Sequence, residues 1–492
     1  TRFGTGPGGE LSHISVVLFA IIGVVGFLAY AFQGIGKFSE VFLPWELSAA
    51  TYAMIFMGVT TIYVILGGMY SVVLTDLIQF LILTIASIAI GVIAMSRVSG
   101  KDIAEAVPDG WANLGFSWRL DLDWTNHLAS ANTKIAQDGY ALFGFFFMMM
   151  VFKGILASVA GPTPGYDMQR VLATRTPREA ALMSGLVSVV LYLPRYFMIA
   201  GITVLGLVFF TEDLRVMADA VDFEQILPYV IENFVPVGLV GLLLAGLLAA
   251  FMSTFDSTVN AGAAYLVNDV YKRYLKPDAS EKRLVRMSYL ASVVLVITGI
   301  GFGLTASSIN DVLQWLVAGL YGGFVAPNVL KWHWWRLNGY GYFAGMVIGI
   351  VLALTLPRLL PDLSALNGFP LILVLSGLAS VGASLLTGVT DAERQTLKDF
   401  YRNVRPWGFW GPIAREVLDE SSQASPNAGF KRDAINLLVG VTWHTTLAAI
   451  PIFLVIREHT ALAIAIVLLI ATSAILKFNW YDQLETDSRP AG

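Results

Sequence analysis

The chain has 492 residues, of which 56% are hydrophobic and 13% charged, with a formal net charge of -4. A soluble domain carries about 25% charged residues, so most of this sequence cannot face water, and its acidic balance offers no reason to expect nucleic-acid binding. The absence of cysteine removes disulfides, thiolate metal sites and thiol nucleophiles together.

A bilayer core about 30 Å thick asks for roughly 20 apolar helical residues. On that measure candidate spans lie near 11–36, 46–67, 71–98, 139–172, 179–211, 235–272, 284–304, 308–335, 339–357, 369–388, 433–456 and 460–478. These are about twelve transmembrane helices of an all-α, polytopic membrane protein. Basic residues cluster at alternate ends of successive spans: Arg175 and Arg178, then Lys272 to Arg286, then Lys331 and Arg336, then Arg394 to Arg432. Such ends mark the cytoplasmic side, which puts residue 1 there and makes the chain a multi-pass protein of the plasma or inner membrane. The opposite side receives polar loops near 99–138 and 212–234. By sequence the chain divides into 1–388, a cytoplasmic connector at 389–432, and two further spans with a tail at 433–492. The connector's mixed charge suggests a solvated linker on the membrane surface.

No Walker A sequence, His-Glu-x-x-His or Gly-x-Ser-x-Gly occurs, and the five histidines are scattered. An ATP-driven pump, a zinc protease and other enzymes are therefore not expected. What remains is movement of something across the bilayer.

Ionisable groups inside a membrane helix cost about 2.5–3.5 kcal/mol on insertion scales, so each is a functional candidate. Four stand out: Asp76, Lys153, Arg195 and Asp256. Around Asp256, at 3.6 residues per turn, Ala250, Ser253, Ser257 and Asn260 share one helix face, with Thr254 and Asp256 at its edges. Hydroxyls, a backbone carbonyl and one carboxylate form an oxygen donor set that suits a hard, releasable cation, sodium better than calcium. The competing reading of Ser253 and Thr254 is back-bonding to the i-4 carbonyl and close helix packing. Asp76 is expected in the first turn of a helix that follows a Gly67-Gly68 turn, where the helix dipole favours a carboxylate. Gly161-Pro162-Thr163-Pro164-Gly165 should break its helix within the membrane, and broken helices expose backbone at transporter binding sites. Lys153 and Arg195 flank that break as candidates for substrate binding or charge balance, or as snorkelling side chains.

Three segments carry a resemblance. Gly67-Gly68-Met69-Tyr70-Ser71-Val72-Val73-Leu74-Thr75-Asp76-Leu77-Ile78-Gln79 resembles the Gly-Gly, Thr-Asp-x-x-Gln signature of the sodium:solute symporter family. Ala249 to Tyr271, with Met252-Ser253-Thr254 and Asn268-Asp269-Val270-Tyr271-Lys272, is similar to that family's sodium-site helix and its exit. Tyr166 to Arg170, followed by Ala173 and Glu179, resembles the end of its broken sixth core helix. The matches fall in the family's order and span nearly the whole chain.

The resemblance implies a LeuT-like fold of five plus five inverted helices and sodium-driven symport of a small organic solute: a sugar, an amino acid or a carboxylate. Ala250, Ser253 and Thr254 would supply half of the conserved sodium site. A second site, known in some members, would draw on Asp76, Ser253, Asp256 and Ser257. No cofactor beyond the coupling ion is implied, and the partners are solute, sodium and lipid. Tyr166 matches the aromatic inner gate. Where sugar-binding members have Asn, this chain has Pro164, and Val317 stands near the position of their Gln, so a sugar does not follow. Gln314, Trp315 and Tyr321 are candidates to line the pocket, with interior packing as the other reading. Proton coupling through Asp256 and a symporter-like sensor domain are the alternatives. The resemblance also places residue 1 after the family's second core helix, which implies missing leading helices and no coupled transport by this chain alone.

Overall fold

In the computed structural model the described residues are 2–65, 76–112, 117–137, 140–161, 163–164, 166–217, 226–306, 309–361, 363, 365–418, 427 and 429–484. They are almost entirely helical. The principal helices are α1 (Pro7–Phe42), α2 (Ala49–Arg97), α3 (Phe143–Ala160), α4 (Tyr166–Leu172), α5 (Pro177–Phe209), α6 (Val237–Ala264) and α7 (Glu281–Gly303). After these come α8 (Tyr321–His333), α9 (Gly339–Leu359), α10 (Ala365–Thr387), α11 (Asp391–Val404), α12 (Gly411–Leu418), α13 (Phe430–Ile456) and α14 (His459–Asn479). Among the described residues nine helices are long and apolar enough to cross a bilayer, and Ala49–Ile65 and Phe147–Ala160 are shorter apolar ones. The expected span at 308–335 is divided into Ile309–Gln314, a π-helical Trp315–Leu320 and α8.

The chain forms two compact units, interleaved along the sequence. The first comprises Thr1–Val72, Met149–Arg170 and Thr254–Phe430. Its core gathers Phe19 of α1 with Leu316, Leu320, Phe324, Tyr342, Met346, Ile350 and Phe369. Small residues bring its helices together: a Cβ at Gly323 would collide with the backbone of Gly349, so α8 and α9 touch main chain to main chain. In hydrocarbon this close packing replaces the hydrophobic drive that water would supply. The second unit comprises Val73–Met148, Val171–Ser253 and Lys431–Gly492. Ala94, Val98, Ala200, Val204, Leu205, Val230 and Val455 form a core in it. Its polar loops carry short helices at Gly100–Ala106, Ala129–Gln137, Thr211–Met217 and Ile226–Phe234.

The expected Gly67-Gly68 turn falls on 66–75, whose placement is outside what the structure describes; apolar helix lies on either side, at Ala49–Ile65 and Asp76–Arg97. The connector is not a solvated linker. Leu397 and Tyr401 of α11 pack with Ile413, Ala414 and Val417 of α12 around Trp410, which is 1% exposed. The Trp410 indole donates to the Trp332 carbonyl at 2.7 Å, and a Thr390–Glu393 capping box starts α11.

Candidate functional site

In the first unit the polar centre is Asp256, fully buried on α6. Phe255 and Val259 beside it are also fully buried, and a Cβ at Gly262 would run into Val24 of α1 and Leu295 of α7. The small-residue run after Asp256 thus lets neighbouring helices close over it. Tyr63 Oη donates to Asp256 Oδ2 at 3.1 Å, and Ser257 Oγ donates to Oδ1 at 3.4 Å. Arg170 of α4 donates from Nη2 to Ser257 Oγ at 3.1 Å. The chain of contacts runs from a guanidinium through a hydroxyl to a carboxylate. An ionised carboxylate is tolerable in such a dry place only when hydrogen bonds and nearby positive charge offset its desolvation.

The same unit holds a cavity of about 60 Å³ bounded by Phe19, Gly23, Phe27, Pro164, Thr258 and Tyr321. That volume admits a few waters or a small ion. The helix break expected at 161–165 is present between α3 and α4: Gly161 takes φ +84°, and the carbonyl of Ala160 accepts the Trp332 indole N–H at 3.0 Å. Pro164 therefore reaches the cavity from a non-helical segment. Thr258 bonds back to the Thr254 carbonyl at 2.6 Å.

In the second unit Ser253 Oγ donates to Asp76 Oδ1. This hydroxyl donates to a carboxylate, and its lone pairs stay open to a cation. Gln79 lies one turn beyond Asp76 on α2, and its buried Oε1 accepts no hydrogen bond among the described residues. Carboxylate, hydroxyl and amide oxygen are all hard donors of the kind alkali cations take.

The other expected site residues divide. Lys153 is buried in the first unit, and among the described residues no hydrogen bond or ion pair reaches its ammonium. Trp315 donates its indole N–H to the Ala353 carbonyl at 3.1 Å and meets the Phe302 ring edge at 5.5 Å, contacts that fit the packing reading. Ala250 is half-buried on α6. Arg195 is exposed on α5 in the second unit, its guanidinium 5.9 Å from the Tyr196 ring. The side chains of Tyr166 and Gln314 lie outside the described residues. Tyr63 and the role of Arg170 were not singled out from sequence, and Gln79 entered only as part of the Thr-Asp-x-x-Gln signature. The periodicity around Gln79, one turn from Asp76, could have revealed it; nothing local marks the other two.

A family model described as the sodium:solute symporter family matches residues 1–349. Over 338 residues the chain is 26% identical to a sodium/mannose cotransporter of Bos taurus, covering 65% of this chain and 55% of the relative. Over 360 residues it is 25% identical to a sodium/glucose cotransporter of Vibrio parahaemolyticus, covering 68% of this chain and 61% of the relative. The chain thus spans little more than half the length of these curated relatives. A solved structure, described as the substrate-bound outward-open state of a Na+-coupled sialic acid symporter, matches with a TM-score of 0.50 and 20% identity, covering 77% of this chain and 73% of that one. That likeness shows the fold: an all-helical, multi-pass membrane architecture of the LeuT-like type. With a family match across most of its length, the chain belongs to the sodium:solute symporter family.

Proposed function

We propose that the protein is a secondary active symporter of the plasma or inner membrane, in which inward sodium flow drives uptake of a small organic solute by alternating access. The observation that carries this reading is the oxygen-only donor set of Asp76, Ser253 and the unpartnered Gln79 Oε1. Family membership supports it. On α6, Ala250, Ser253 and Thr254 supply the carbonyl and hydroxyls for a coupling sodium. Asp256 accepts from Tyr63 and Ser257, and Arg170, which donates to Ser257, replaces Arg195 as the candidate balancing charge. The solute is a sugar, an amino acid or a carboxylate that enters beside Pro164, with Lys153 as a candidate anchor for a carboxylate.

Each sodium charge entering at 100 mV contributes about 2.3 kcal/mol, or about fiftyfold in solute concentration. The test is uptake by the full-length gene product in proteoliposomes under separately imposed sodium and proton gradients. Uptake should follow the sodium gradient at constant pH. Uptake that follows the proton gradient and ignores sodium would instead assign the coupling to Asp256 as a proton carrier.

A further inference from the structure

The second unit contains a groove of about 880 Å³ opened by the start of α5, the first three turns of α13 and the end of α14. Leu182, Leu437, Gly440, Trp443 and Trp480 give it apolar walls. All three helices are long and apolar enough to cross a bilayer, and the groove's tryptophans have the amphipathic character of interfacial residues.

One end of the groove is basic. Lys477 bonds Asp482 and lies 4.8 Å over the Tyr481 ring, and Arg178 lies 5.6 Å from the same ring. Lys431 and Arg432 begin α13, with Asp433 taking Arg432 at 3.6 Å. Four cations against the carboxylates of Glu179, Asp433 and Asp482 leave these helix ends with an excess of one positive charge. A polar atom also waits inside. Asn436 donates from Nδ2 to the Asn479 carbonyl at 3.2 Å, but its Oδ1 is buried and accepts nothing among the described residues. A buried acceptor carries its desolvation penalty until a donor reaches it.

We propose that this groove binds an anionic glycerophospholipid whose headgroup carries a hydroxyl, as phosphatidylglycerol does. The acyl chain lies along Leu182, Leu437 and Gly440, the phosphodiester meets Lys477 and Arg178, and a headgroup hydroxyl donates to Asn436 Oδ1. Charge complementarity selects an anionic lipid over a zwitterionic one. The orphan acceptor selects a headgroup with a donor.

The test titrates the purified protein in mild detergent with dioleoylphosphatidylglycerol or dioleoylphosphatidylcholine and follows the thermal unfolding midpoint. Phosphatidylglycerol should raise it saturably and phosphatidylcholine should not. Gly440→Leu places its side chain in space with no atom within 4 Å of the new Cβ, and it should abolish the saturable rise. Lys477→Gln should weaken half-saturation about fivefold, the usual worth of one cation near a lipid phosphate. Gly241→Leu, at an equally open glycine on α6, should leave the titration unchanged. Equal responses to the two lipids, or a phosphatidylglycerol response that survives both Gly440→Leu and Lys477→Gln, would overturn the proposal. If Gly440→Leu does not fold, Lys477→Gln decides by the same criterion.

Discussion

Two carboxylates of the first unit show how one side chain is put to different uses. Glu416 sits in the connector at the surface, where Arg394 bonds it and Lys398 approaches to 2.9 Å. Those two cations hold its carboxyl down at about 2. Asp256 is fully buried and takes hydrogen bonds from the hydroxyls of Tyr63 and Ser257. Exposed ion pairs fasten a surface element and are weakened by salt. A buried carboxylate among hydroxyls keeps a negative field in a dry place, which a fastening role does not require. The contrast fits Glu416 to fastening the connector and, under the proposed function, Asp256 to ion handling.

The largest effect should come from Asp256. Asp256→Asn keeps the shape and much of the hydrogen bonding but removes the charge; sodium-dependent stabilisation, read as the melting midpoint with and without sodium, should fall at least tenfold in apparent affinity. Asp256→Ala also removes the acceptor of the Tyr63 and Ser257 hydroxyls and should lower stability in denaturant titration as well. If Asp256→Asn leaves the sodium response intact, the two carboxylates do not differ in the way argued. Tyr63→Phe removes one hydrogen bond to a charged acceptor, worth about 1.5–3 kcal/mol. Its smaller loss of sodium affinity should leave Arg170→Lys, which retains the charge, closer to wild type than Arg170→Gln.

The smallest effect lies at Glu416 and appears only in acid. Its folded-state carboxyl titrates at about 2, below the ordinary 4.5, so its contribution is fully present above about 4.5 and is lost as pH falls towards 2. Melting curves of Glu416→Gln should match wild type in slope above pH 5 and lose the wild-type acid dependence below it. Sodium affinity should not change.

Much of the fold was legible because the bilayer imposes one rule, that backbone groups pair within a helix, and apolar runs then mark spans directly. The break at 161–165 was readable from paired Pro and Gly. The packed connector carried a visible signal in Leu397 and Tyr401, four residues apart on α11, and in Ile413 and Val417 on α12, which mixed charge obscured. The oxygen-bearing face of α6 was legible from its spacing, while its reading as half of a sodium site came from the family resemblance and stands as a proposal. Tyr63 and Arg170 were not, since each reaches Asp256 or Ser257 from a helix distant in sequence. Charge alone pointed to Arg195, which is exposed.

The most direct test of sodium coupling through α6 is equilibrium binding of radioactive sodium to the purified full-length gene product, compared with Ser253→Ala and Thr254→Ala. The account predicts saturable binding that weakens about tenfold or more in each variant, the loss of roughly one charge-strengthened ligand. Binding of unchanged affinity in both variants would contradict it.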